Sequence, residues 1–273
     1  MKLKVVGSGG MSIIPSSFCK CKICEEAREK GGRYERLGPS LYIEDIQMLI
    51  DTPEDIAVAC NRQNISEVKH LSISHHDPDH VKGIRIVEKI GYDFLAEKSA
   101  PIGFYALPEV AQDINRTNLD CLRYYGDVLR CISVHETSRI QIGDFRIDLI
   151  NNNTARNITF YVISEGGKKA VYACCNAKPF AHNDLYFDAD VFIISLVSDD
   201  GILGDGSALS DSPLQDEIFT LDEIIELKNH YRIKRMIVTH IDEMWGKSYG
   251  YYRELEKGLD GISFAYDGME IVV

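Results

Sequence analysis
An apolar run that breaks abruptly into imidazoles and carboxylates constrains this chain more than any other feature. In Leu71-Ser-Ile-Ser-His75-His76-Asp77-Pro78-Asp79-His80-Val81-Lys82-Gly83, the six residues from His75 to His80 carry three imidazoles and two carboxylates. Such a cluster cannot pack as ordinary core. Val68, Leu71 and Ile73 read as a buried strand, and Pro78 denies the residues after it a ladder hydrogen bond. The cluster is therefore expected in a loop at the strand's end, where α/β folds place ligand sites. His75 and Asp77, two apart, can converge on one cation, while Asp79 and His80 can turn toward a neighbouring position. Mixed nitrogen and oxygen donors suit zinc, iron or manganese better than calcium or magnesium. The competing reading is a solvated polar loop with one capping aspartate.

Nothing in the 273 residues looks like a linker, so a single domain over 1–273 is expected. No run of about 18 apolar residues is present to cross a membrane. Met1-Lys-Leu-Lys-Val-Val-Gly7 also lacks a signal peptide's apolar stretch, so the expectation is a soluble, cytoplasmic protein without a membrane partner. With 42 acidic against 30 basic residues the net charge is −12, which argues against nucleic acid, because phosphate-backbone binding rests on Lys and Arg displacing counterions. A small-molecule, anionic substrate stays compatible, since a metal reverses the local field. A homodimer is left open.

Eight cysteines in such a protein point to metal or reactive thiols before disulfides. Cys19-Lys-Cys21-Lys-Ile-Cys24 is the strongest case. A C-x-C-x2-C cluster can wrap a tetrahedral ion and leave one ligand to arrive from elsewhere, and the interleaved lysines favour thiolates.

The remaining pattern alternates strands with short helices. Residues 2–6, 40–43, 47–50, 131–134, 138–142, 145–150, 158–163, 169–174, 191–196 and 236–239 read as strands, and 25–30, 56–63, 81–90, 108–118 and 221–231 as helices. His75 to His80, Cys175 and His240 each follow an apolar strand, so three strand ends are expected to converge on one rim. His70, His135, His182 and His230 lack this context and read as surface or ordinary hydrogen-bonded residues.

These residues carry a resemblance. Ser74-His-His-Asp-Pro-Asp-His80 is similar to the T-H-x-H-x-D-H signature of the metallo-β-lactamase superfamily. Gly7-Ser-Gly-Gly10, the Cys19/Cys21/Cys24 cluster, Leu49-Ile-Asp-Thr-Pro53 and Thr239-His240-Ile241 resemble its PhnP-type cyclic phosphodiesterase branch. The resemblance spans almost the whole chain. It implies an α/β fold, a four-layer αβ/βα sandwich with the metal site at one edge between two sheets.

Carried over residue by residue, the resemblance exposes departures. Asp77 stands where the second histidine of H-x-H is usual. Asn151, Asn152 and Asn153 follow Ile150, where a histidine would complete the first metal position. Cys175 takes the place of a bridging aspartate. The implied second position, Asp79, His80, Cys175 and His240, is complete, while the first, which keeps His75 and Asp77, is weakened. For the cysteine cluster, Glu243 stands where a fourth-ligand histidine is usual, with Asp242 equally reachable. No histidine lies between 183 and 229, where some relatives contact phosphate.

The resemblance thus implies a metal-dependent hydrolase, most of all a phosphodiesterase, with structural zinc at the cysteines and zinc, manganese or iron in the active site. An ion there would lower the pKa of a water to near neutrality, with Asp79 or Asp77 holding its proton. The alternatives are a non-catalytic metal-binding protein and a flavodiiron-like oxidoreductase, which shares the fold but needs ligands this chain lacks.

Overall fold
The computed structural model describes residues 1–152, 156–195 and 197–273. Two sequence halves build two seven-stranded sheets of matching design. In the first half, β1 (Lys2–Gly7), β2 (Ser40–Ile43) and β3 (Met48–Ile50) form an antiparallel meander. It continues in parallel through β4 (His70–Ser72), β5 (Ile102–Ala106) and β6 (Ile132–Glu136).

In the second half, β7 (Arg139–Ile142), β8 (Phe145–Asn151), β9 (Thr159–Glu165) and β10 (Lys168–Ala173) form the meander. The strands β11 (Val191–Ser195), β12 (Arg235–Thr239) and β13 (Ile262–Phe264) extend it in parallel. The last strand, β14 (Glu270–Val272), returns to pair with β1 in the first sheet.

Parallel strands need crossovers, and helices supply them. The helix α1 (Lys22–Lys30) lies between the antiparallel β1 and β2, and the parallel crossovers carry α2 (Ile56–Arg62), α3 (Pro78–Val81), α4 (Ile86–Gly91), α5 (Pro108–Thr117), α6 (Leu221–His230) and α7 (Tyr249–Leu255). The result is the four-layer αβ/βα sandwich. Strands buried on both faces read as continuous apolar runs: every residue of β11 is buried, as is every residue of β3.

Most expected elements are present, and the differences have local causes. The helix expected over 81–90 is broken at residues 82–85, and its first turn is α3, which begins already at Pro78. Proline is pre-set for the first helical position, so the histidine cluster is only half loop. The strand expected over 191–196 ends at Ser195 within the described residues.

The main hydrophobic cluster draws on both sheets, with Leu41 and Phe104 from the first and Phe160 and Phe192 from the second, and a small separate cluster of Ile14, Ile23 and Ala27 sits beside the cysteine segment. Polar seams cross it beside the histidine cluster. Ser72 Oγ lies 2.9 Å from Tyr161 Oη in the buried interior, and the Thr159 amide donates to the Ser74 carbonyl at 2.9 Å. Tyr161→Phe is expected to cost about 1 kcal/mol, since Ser72 keeps its bond to the Tyr105 carbonyl, whereas Tyr161→Ala should cost about 3–5 kcal/mol through the cavity it leaves. Urea denaturation of equally metal-loaded samples measures both.

Candidate metal centre
The parallel strands end on one rim, and the polar side chains stand at those carboxyl ends, as the topology of open α/β sheets dictates. Asp51 follows β3, His75 to His80 follow β4, Cys175 follows β10 and His240 follows β12. Two of these residues, Asp51 and His240, hold left-handed backbone with φ of 68° and 59°. That conformation is costly for non-glycine residues and collects at functional sites.

Asp51 organises the first-sheet side. Its carboxylate accepts the Ser74 amide at 2.7 Å, the Ser74 hydroxyl at 2.9 Å and His80 Nδ1 at 2.9 Å, all in buried surroundings. The backbone closes the same knot, with Thr52 N–H donating to the His80 carbonyl and Gly83 N–H to the Thr52 carbonyl, both at 2.8 Å. With Nδ1 occupied, His80 must present Nε2 to the rim, where that atom is buried without a hydrogen-bond partner. His75 behaves alike: Nδ1 lies 2.9 Å from Ser74 Oγ, and Nε2 is buried without a hydrogen-bond partner.

The second-sheet side adds a thiol and a third imidazole. Cys175 Sγ lies 3.5 Å from His240 Nε2, and Asp79 Oδ2 lies 3.3 Å from the same nitrogen and 3.4 Å from His80 Nε2. Ile241 N–H donates to the Ser8 carbonyl, tying His240 to the glycine turn after β1. There Gly10 is required by close approach, because a Cβ would fall 2.0 Å from Asp242 Oδ2.

Donor atoms therefore fall into two overlapping groups, His75, His80 and Cys175, and Asp79, His80 and His240, each within 4.8 Å. Electrostatics shows what this arrangement asks for. Burial opposes ionisation of Asp79, yet the neighbouring His80 and His240 hold its carboxyl well below the usual range. Burial likewise opposes the Cys175 thiolate, and the charge and hydrogen bond of His240 pull it well below the ordinary thiol value. In turn burial disfavours charge on His75, His80 and His240, yet their anionic partners raise all three. Buried anions facing buried imidazoles at such distances create a demand for positive charge, and unpartnered Nε2 atoms on His75 and His80 offer donors to a cation. The donor set fits a divalent metal of the zinc, iron or manganese kind.

The structure brings together five of the sequence candidates, His75, Asp79, His80, Cys175 and His240. Asp77 stands apart from both donor groups. Its Oδ2 is 3.4 Å from His75 Nε2 but accepts Arg156 Nη1 at 2.8 Å. The close approach and charge of His75 first, and then the charge of Arg156, outweigh burial and hold its pKa at about 2. The two described asparagines hydrogen-bond to other partners. Asn151 donates to Glu109 Oε1 and Asn157 Oδ1. Asn152 donates toward the carbonyls of Asn176, Ala177 and Pro179 and accepts the Ala181 amide. Asn153 lies outside the described residues.

Away from this rim, Cys19, Cys21 and Cys24 group their sulfurs within 4.8 Å. Backbone amides of Ser16, Cys21 and Cys24 point at sulfurs from 3.2 to 3.5 Å. The amide of Cys21 is the main reason the Cys19 thiol is lowered, while burial pushes Cys24 up to about 12. Glu243 is not within that group, but its charge reaches Cys19 and its Oε2 is buried without a hydrogen-bond partner. Asp242 turns elsewhere, accepting the Ser12 amide at 3.1 Å and lying 3.7 Å from His240 Nδ1.

The sequence placed Asp51 within the Leu49-Ile-Asp-Thr-Pro53 motif without assigning it a role at the site, and gave Arg156 no role. The signal for Asp51 was present, since it too is a carboxylate directly after an apolar strand. Arg156 carried none. Asp51→Asn is expected to weaken divalent-ion retention by about ten- to a hundredfold while the fold survives, because outer hydrogen bonds orient the ligating ring. Chelator competition alongside circular dichroism measures this.

The family described as the beta-lactamase superfamily domain matches residues 47–241. Among solved structures, the chain is similar to a new diphosphatase from the PhnP family, at 19% identity and a TM-score of 0.73, covering 99% of this chain and 96% of that one. It is similar to zinc-bound PqqB from Methylobacterium extorquens, at 18% identity and a TM-score of 0.76 over 100% of both chains. Human short-form tRNase Z follows at 17% identity and a TM-score of 0.66, covering 100% of this chain and 99% of that one. No curated protein matches the sequence.

Proposed function
Since this chain belongs to the beta-lactamase superfamily, whose fold serves mostly metal-dependent hydrolases, we propose that it is a metal-dependent hydrolase acting on a small anionic phosphodiester. The observation that carries the reading is the convergence of Asp79, His80, Cys175 and His240 from both sheets, with His80 Nε2 buried and unpartnered. These four would hold the active-site ion, with His75 beside them. A divalent ion supplies there a Lewis acid for a phosphoryl oxygen and brings the pKa of water near neutrality.

The chain's own residues do the rest. Asp51 fixes the tautomer and the direction of His80. Asp79, which lies between His80 and His240, would hold the proton of the attacking water at a carboxylate oxygen. Cys175 adds a thiolate, which lowers the net charge of the loaded site. The PhnP-family diphosphatase has the same fold, and that likeness supports phosphorus–oxygen chemistry as the first class to test.

A second ion, structural zinc at Cys19, Cys21 and Cys24, has Glu243 as its fourth donor. Its buried and unpartnered Oε2 supports this choice over Asp242, which is committed to Ser12.

The protein is expected to hydrolyse bis-p-nitrophenyl phosphate, with activity lost on chelation and reduced about a hundredfold or more in His240→Ala. Metal-loaded protein inert toward phosphodiester, lactone and thioester panels would instead favour a non-catalytic metal-binding role, the reading to which the committed amide of Asn152 gives weight.

Cys21→Ser should remove about one metal equivalent and lower the melting temperature, since ion binding there is coupled to folding. Hydrolysis should persist. Elemental analysis with thermal melts reads both, and unchanged metal content would sink the cysteine assignment.

A further inference from the structure
Asp77 and Arg156 form a pair at the edge of the donor cluster that the proposed chemistry does not use. Arg156 Nη1 meets Asp77 Oδ2 at 2.8 Å. The same oxygen lies 3.4 Å from the buried His75 Nε2, so the guanidinium faces the place where His75 and Asp77 together would have met a cation. Of the other donors expected at that place, the Asn152 side-chain oxygen accepts the Ala181 amide, the Asn151 side-chain nitrogen donates to Glu109 and Asn157, and Asn153 lies outside the described residues. A guanidinium stays protonated throughout the accessible pH range. A divalent ion brought to Asp77 would have to displace that charge or sit against it.

Resting on the metal-centre reading above, we propose that Arg156 supplies the positive charge of the weakened first metal position: its guanidinium neutralises Asp77 and keeps a second ion out, leaving a site for a single active-site ion. The position thus exchanges a removable cation for one built into the chain. His75, released from sharing an ion with Asp77, is free to join His80 and Cys175, the group in which its ring stands.

The test counts ions without any turnover. Manganese is the probe, because the rim offers mostly carboxylate and imidazole donors beside its single thiolate, whereas the cysteine cluster offers three thiolates, which suit it far less. Wild-type protein saturated with Mn²⁺ is expected to hold about one ion at the rim, with the paramagnetic resonance spectrum of an isolated Mn²⁺. Arg156→Gln should take up a further equivalent under the same conditions and show the spin-coupled spectrum of a pair. Arg156→Lys, which keeps the charge, should stay at the wild-type count. Arg156→Gln combined with Asp77→Asn should return to it.

A wild-type protein already holding a coupled pair would overturn the inference, as would an Arg156→Gln protein that binds no more than wild type. Wild-type protein that binds no Mn²⁺ or Zn²⁺ at the rim would instead defeat the metal-centre reading itself. Inactivity toward phosphodiesters with an intact ion count would defeat only the choice of substrate.

Discussion
A single buried carboxylate, Asp51, sets the geometry on which the rim depends. It gathers a backbone amide, a hydroxyl and an imidazole from the segment after β4 onto the end of β3. Burying these groups unpaired would cost each its full desolvation penalty, so the knot is satisfied as a unit or fails as one. Its satisfaction leaves one nitrogen of His80 with no direction but the rim. Everything placed around that nitrogen, from Asp79 to His240 and Cys175, is arranged with respect to a ring whose orientation is no longer free.

Much of this was legible from the chain alone, because strand ends advertise themselves. An apolar run followed closely by a side chain able to ligate a metal recurs before His75, Cys175 and His240, and all three runs proved to be strands with parallel neighbours ending on one side. The cysteine cluster was equally plain, since its spacing is short enough for local backbone to gather the sulfurs. The strand β5, Ile102-Gly-Phe-Tyr-Ala106, and the short closing strands β13 and β14 escaped notice. Their pairing is set by partners far away in sequence.

What the chain could not disclose were relationships between distant polar groups. Asp77 reads from spacing as a partner of His75, and the 3.4 Å contact agrees. Its shorter contact comes from Arg156, across 79 positions, which no local pattern contains. Asn152 likewise reads as a weak replacement for a ligand. Its amide instead braces the loop after Cys175, so a change that removes a donor from one place adds rigidity to the neighbouring wall.

The two-sheet origin of the rim has a consequence for how the molecule comes together. His75, Asp79 and His80 arrive on the first sheet, and Cys175 and His240 on the second, so the complete donor set exists only once the two halves of the chain have docked. An ion held by both halves acts as a reversible crosslink: it adds its binding free energy to the docked arrangement and nothing to a chain with the sheets apart. Metal supply then governs more than chemistry at the rim. In a metal-poor setting the seam between the sheets rests on hydrophobic burial and on contacts such as Ser72 with Tyr161 alone. The anions and imidazoles of the rim then face one another across the seam with no ion between them.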